Sequence, residues 1–194
     1  MWLYVAPHIR GKLEDNGTPL VVDELKNKNL DANNIDDKIT IYERQVKGWF
    51  LNHATLLKNE EFTGFIILML GISYIEGVEQ YREGQSSHNG SRRFFKNGIK
   101  RIFNLNNVPE YKLNSFYDHA RCGLFHTGMT GDKVIINSTF KEIIDFSNDD
   151  MIKINQKKFT NKIIKDFNDY IKDLKNPEKR GKLLKCLALF IFRM

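Results

Sequence analysis

From Phe62 to Tyr74 the chain reads Phe-Thr-Gly-Phe-Ile-Ile-Leu-Met-Leu-Gly-Ile-Ser-Tyr, an apolar run that no single helix face can absorb. A helix apolar on nearly every side is stable only when other elements enclose it, so this segment is expected to run through the middle of a core. The run spans about 60–83 as a helix, stopped by Gly84. Its longest apolar stretch, Gly64–Ile75, falls short of the roughly 18 residues needed to cross a bilayer, as does Cys186–Phe192. With 194 residues and 41% hydrophobic content, the rest of the chain has enough material to wrap such a helix in one domain.

The wrapping elements read as helices. Tyr42, Val46, Trp49, Phe50, His53, Leu56 and Leu57 recur at helical spacing, giving an amphipathic helix over about 41–58 in which His53 sits on the apolar face as a core histidine. A third helix, about 91–103, sets Phe95, Ile99, Ile102 and Phe103 on one side. A fourth carries Phe116 to Phe125, capped by Asn114 or Ser115 and closed by Gly128 in the left-handed conformation. Two more follow, about 158–174 and 178–193. Lys133–Asn137 and Met151–Asn155 are short β-branched runs between Asn/Asp turns, readable as a small hairpin or as paired strands. Residues 1–40, with Gly11, Asn16-Gly17 and Pro19, have the composition of a turn-rich, loosely packed extension. The expected fold is therefore mainly α, a helical domain over 41–194 with a small β-hairpin inserted after the fourth helix.

Charge narrows the partners. A formal charge of +6 favours anions such as nucleic acid, although a charge of this size is also ordinary for a solvated surface. Arg92, Lys96 and Lys100 stand at i, i+4 and i+8 on one face with Arg93 and Arg101 beside them, and no acid lies within that stripe. Phosphate contacts would use such a stripe, and a solvated helix face would look the same. Cys122 and Cys186, far apart and without companions, make neither a disulfide framework nor a cysteine-based metal site. With no basic leader followed by a long apolar run, the chain is expected to be cytoplasmic. Lys182, Lys185 and the apolar Leu183–Phe192 segment fit either a membrane surface or a helix docked on the bundle, and docking needs fewer assumptions.

No Gly-rich phosphate loop, His-Glu-x-x-His, Gly-x-Ser-x-Gly or paired His/Cys cluster is present, and no cofactor is expected. What remains is Tyr117 to Gly128, which holds Arg121 and His126. On an ideal helix residues five apart are separated by about 140°, so these two meet only through the reach of the arginine stem or across a partner subunit. Arginine offers an always-charged fork for a phosphodiester, and histidine titrates near neutrality. A structural Arg–His pair tying the bundle together would use the same residues. Ser73, Glu76 and Gln80 prolong the apolar stripe of the core helix, which fits either a helix end fraying into solvent or an inward-facing polar site. On the second reading Glu76, Gln80 and Tyr81 are candidate pocket residues, and His119 points to another face.

Arg121-x4-His126 on a late helix resembles the Arg-x4–6-His motif of the HEPN superfamily. The string Arg121-Cys122-Gly123-Leu124-Phe125-His126-x-Gly128 is similar to an Arg-Cys-Gly-x-x-His-x-Gly form found in bacterial HEPN-like proteins. The match is close over one helix and extends over 41–174 only through helix order. The resemblance implies a HEPN-like bundle of four to six helices and a homodimer that pairs two motifs. In active members it also implies metal-independent endoribonuclease activity, with toxin or defence effectors as the setting and an antitoxin as a protein partner. Arg121 and His126 would then be catalytic, with Arg92, Arg93, Lys96, Lys100, Glu76, Gln80 and Tyr81 binding RNA. Cys122 stands where many active members carry a polar residue. Members without catalysis are binding modules for a protein partner or nucleic acid, so both classes stay open.

Overall fold

The computed structural model describes residues 1–31 and 33–183, with side chains described to residue 180. Its N-terminal part overturns the expectation of a mainly helical protein. Leu3–Ala6 (β1), Ile9–Leu13 (β2), Pro19–Asp23 (β3) and Lys28–Leu30 (β4) form an antiparallel meander in the order β1-β2-β3-β4. The turns fall where composition suggests only loose chain: Gly17 takes φ +79° beside Asn16, and His8 and Asn27 also adopt positive φ. Along each strand alternate residues go inward, so Ala6, Ile9, Val21 and Leu30 join the same hydrophobic cluster as the helices. Strands of three to five residues carry too little alternation to stand out from a loop, and their pairing supplies what the pattern lacks. The protein is mixed α/β.

Asn34 begins the helical part, its Oδ1 accepting from Asp36 N at 2.9 Å and Asp37 N at 3.2 Å. The helix Ile35–Val46 (α1) thus starts inside a polar run whose composition is that of a loop, and continues through a π turn at Lys47–Leu51 into Asn52–Leu57 (α2). A π turn inserts an extra residue, which rotates everything after it relative to an uninterrupted 3.6-residue register. As a result His53 is exposed rather than in the core, Leu56, expected on the buried stripe, faces outward, and Trp49 is only partly covered.

Gly64–Glu83 (α3) is the enclosed helix, with Ile67, Leu68, Ile72, Ile75 and Val78 buried. Enclosure fails only at its start, where Phe62, Phe65 and Ile66 are exposed. Gly84 ends it at φ +67°, as the sequence indicates. Ser91–Phe103 (α4) packs so closely that a Cβ on Gly98 would lie 2.5 Å from Ile75 Cγ2, and Gln156–Lys175 (α7) presses Phe159 onto Gly71.

Glu110–Phe116 (α5), a second π turn at Tyr117–Cys122 and Gly123–Thr127 (α6) make the segment that carries Arg121 and His126. The β-branched runs beyond it do not form a hairpin. Val134–Ile136 (β5) pairs parallel with Ile152–Ile154 (β7), and Ile144–Asp145 (β6) joins the other edge of β7 antiparallel. Asn155 holds this crossover: its Nδ2 donates to Ser138 O and Phe140 O, and its Oδ1 caps α7 by accepting from Lys158 N. Pro177–Leu183 (α8) follows, and the remainder of the expected last helix, with Lys185, Cys186 and the apolar segment, lies outside the described residues. Among the described residues no helix is long and apolar enough to cross a membrane.

Candidate active site

The inner side of the Tyr117–Thr127 segment is set by Tyr117, Ala120 and Leu124, all buried, which leaves Arg121 half-buried and Phe125 and His126 facing out. Gly123 is required by what lies behind it. A Cβ there would meet Met129 O at 2.7 Å and Gly131 N at 2.9 Å, so the chain after the helix folds back directly onto its backbone. Gly128, at φ +74°, makes the reversal, its N–H donating to Leu124 O. Gly131 N then donates to His119 O at 2.7 Å, and His119 Nδ1 lies 3.1 Å from Asp132. His119 thus serves the returning loop and not the Arg121 side.

Arg121 Nε donates to Glu76 Oε1 at 2.9 Å and Nη2 to Oε2 at 3.4 Å, linking the motif to α3. The hydrogen bond to Glu76 holds the guanidinium proton more firmly than usual, against the opposing effect of burial. The guanidinium carbon also lies 5.0 Å from the Phe125 ring centroid. His126 is exposed and makes no hydrogen bond or ion pair among the described residues, with Arg121 or any other group. Beside it Phe125 and Met129 are 44% and 59% exposed, an apolar margin around the free imidazole.

Of the other pocket candidates, Glu76 reaches Arg121. Gln80 instead accepts from Ser87 N at 2.8 Å and steadies the loop after α3. Tyr81 packs on Tyr42, ring centroids 4.2 Å apart, in a separate cavity.

The basic stripe of α4 is present, and acids from other elements meet it. Arg92 forms a two-pronged pair with Asp118, Arg93 pairs with Glu83, and Lys96 and Lys100 share Glu110. Hydrogen bonds from Lys100 and Lys96 drag the Glu110 carboxyl down to about 2. These acids sit on α3, α5 and the motif's own π turn, so no reading of α4 alone could find them. Ser91 Oγ and Tyr117 OH, 2.5 Å apart, bring the stripe's N-terminal end onto the motif segment.

Sequence reasoning also missed a buried cluster. Arg101 turns away from the stripe to pair with Glu79 and Asp166, and Tyr74 OH donates to Asp166 at 2.7 Å. Burial pushes the Glu79 carboxyl up although Arg101 pulls it down. The cluster joins α3, α4 and α7 and is a structural clasp. Among the described residues no group of three or more His, Cys, Asp or Glu is placed to hold a metal ion. No family model, curated protein or solved structure matches this chain.

Proposed function

We propose that the protein is a metal-independent endoribonuclease of the HEPN type, acting as a homodimer through Glu76, Arg121 and His126. The observation that carries this reading is the pairing of an oriented Arg121–Glu76 couple with an exposed histidine that has no partner among the described residues, five residues along the same segment. Internal RNA cleavage needs a base, a cation and an acid, and these three side chains are that set. The Glu76 carboxylate takes the proton of the ribose 2′-hydroxyl, and the 2′-oxygen attacks phosphorus. The bond to the 5′-oxygen breaks, and that oxygen takes a proton from the His126 imidazolium. Arg121 offsets the charge of the phosphorane. The products are a 2′,3′-cyclic phosphate and a 5′-hydroxyl. Dimerisation over Phe125 and Met129 would cover the apolar margin and set a second copy of the three groups opposite the first.

A second reading, a non-catalytic HEPN-like module that binds a protein partner or nucleic acid, is favoured by a different observation. Glu76 neutralises Arg121 within one chain, and the stripe's cations are likewise matched by acids. The two readings part on one experiment: incubation of single-stranded RNA with the protein in EDTA, with analysis of the product ends. Cyclic phosphate ends that disappear in His126→Ala support the enzyme. Equal traces from both proteins leave the binding module.

A further inference from the structure

Between α1, the π turn after it and the second half of α3 lies a cavity of about 350 Å³. Tyr42, Trp49, Phe50, Tyr74 and Tyr81 make its walls, and Gly77 lies in its floor. Its size falls in the range of small-molecule sites, which are concave, largely apolar and furnished with a few polar groups. Ser73, also on the lining, has a hydroxyl with no hydrogen-bond partner among the described residues.

Gly77 is the informative residue. A glycine inside a helix costs about 1 kcal/mol relative to alanine and normally answers to a close contact. Gly71, Gly98 and Gly123 have that reason, since a Cβ on each would come within 3 Å of Phe159, Ile75 and Met129. A Cβ on Gly77 would meet nothing within 4 Å among the described residues, and the residue sits mid-helix in α3. What the missing side chain leaves is open space above the helix backbone. The opposite wall is just as particular. The π turn sets Trp49 and Phe50 on the cavity, and Gly48 within it presses on Pro7, where a Cβ would lie 2.3 Å from Cγ. The phenols of Tyr42, Tyr74 and Tyr81 are all raised by burial, the last to about 12, so the walls carry no charge at neutral pH.

We infer that this cavity is a binding site for a small, flat, uncharged aromatic molecule, seated over Gly77 between the aromatic walls with the Ser73 hydroxyl as its polar contact. The site is separate from Arg121 and His126, and the inference does not rest on the ribonuclease reading. Uncharged aromatic walls disfavour an ionic ligand, which would lose hydration without gaining a counter-charge. Rings stacked or edge-on against Tyr and Trp gain both area and quadrupole complementarity.

The probe is 2-naphthol, a flat bicycle with one hydroxyl, followed by equilibrium dialysis against the full chain. Saturable binding of one equivalent is expected, weakened at least tenfold in Gly77→Leu, whose side chain fills the floor. That variant should melt at or above the wild-type temperature, because leucine removes the helix penalty of glycine. Absence of saturable binding to wild type overturns the inference, and so does undiminished binding by folded Gly77→Leu. Should Gly77→Leu not fold, Trp49→Ala decides: weaker binding supports the site, and unchanged binding overturns it.

Discussion

Arg121 Nε and Glu76 Oε1 are 2.9 Å apart, which ties the motif segment to the polar end of the enclosed helix α3. The pair gives the candidate site its orientation, and it leaves His126 as the one member of the three without a tether among the described residues.

If Glu76 is the base and His126 the acid, Glu76→Gln and His126→Ala should each slow RNA cleavage by about a hundredfold. Arg121→Ala should lose a similar factor through the charge of the phosphorane. Unchanged rates in these variants, measured by single-turnover cleavage in EDTA, would leave the three residues without catalytic roles.

If the α4 stripe binds nucleic acid, Glu110 limits the affinity, because it holds both Lys96 and Lys100. Glu110→Gln should tighten binding of single-stranded RNA and steepen its salt dependence by about 0.7 in log–log slope for each further phosphate neutralised. Changing Arg92, Lys96 and Lys100 together to Glu should weaken it for every sequence tested. Fluorescence anisotropy across a salt series measures both; an unchanged affinity in Glu110→Gln makes the stripe an ordinary solvated face.

Asp23 is fully buried on β3 and accepts from both terminal nitrogens of Arg44 on α1, at 2.9 and 3.0 Å. Burial works against its ionisation, but the bonds to Arg44 win and hold its carboxyl below the usual 3.8. Between the folded value and 3.8 the unfolded chain therefore binds more protons. The pair's contribution is present above that window and is lost as pH falls through the folded value. Asp23→Asn should flatten the fall in stability below about pH 4. Asp23→Ala should cost about 3 kcal/mol at neutral pH by stranding the arginine. Urea unfolding at several pH values tests both, and equal slopes in wild type and Asp23→Asn would show that the Asp23–Arg44 pair does not carry acid stability.

Gly123→Ala places a methyl group against Met129 O and Gly131 N, and backbone cannot move aside as a flexible side chain can. A loss of about 1–3 kcal/mol is expected, read as a fall in Tm of about 2–4 °C for each kcal/mol. An unchanged Tm would mean that the 129–131 loop does not rest on the helix.

Whatever depends on neighbours along the chain could be read from the residues themselves. The helix of the apolar run with its stop at Gly84, the amphipathic α4 and the left-handed stop at Gly128 were all legible, because helix periodicity and glycine φ are local properties. Glu76 was readable as a polar continuation of an inward stripe. Whatever depends on distant partners was settled only by folding. The N-terminal strands are too short to declare themselves until β2 and β3 pair, and the parallel register of β5 with β7 leaves no trace in either run. The π turn at Lys47–Leu51 shifts the helix face by one residue and moves His53 out of the core, a change that a periodic pattern cannot announce. The stripe of α4 looked free of acids because Glu83, Glu110 and Asp118 lie 10 to 26 positions away from the cations they meet. Charge pairing acts through space over a few ångströms, and only folding brings those positions within that reach.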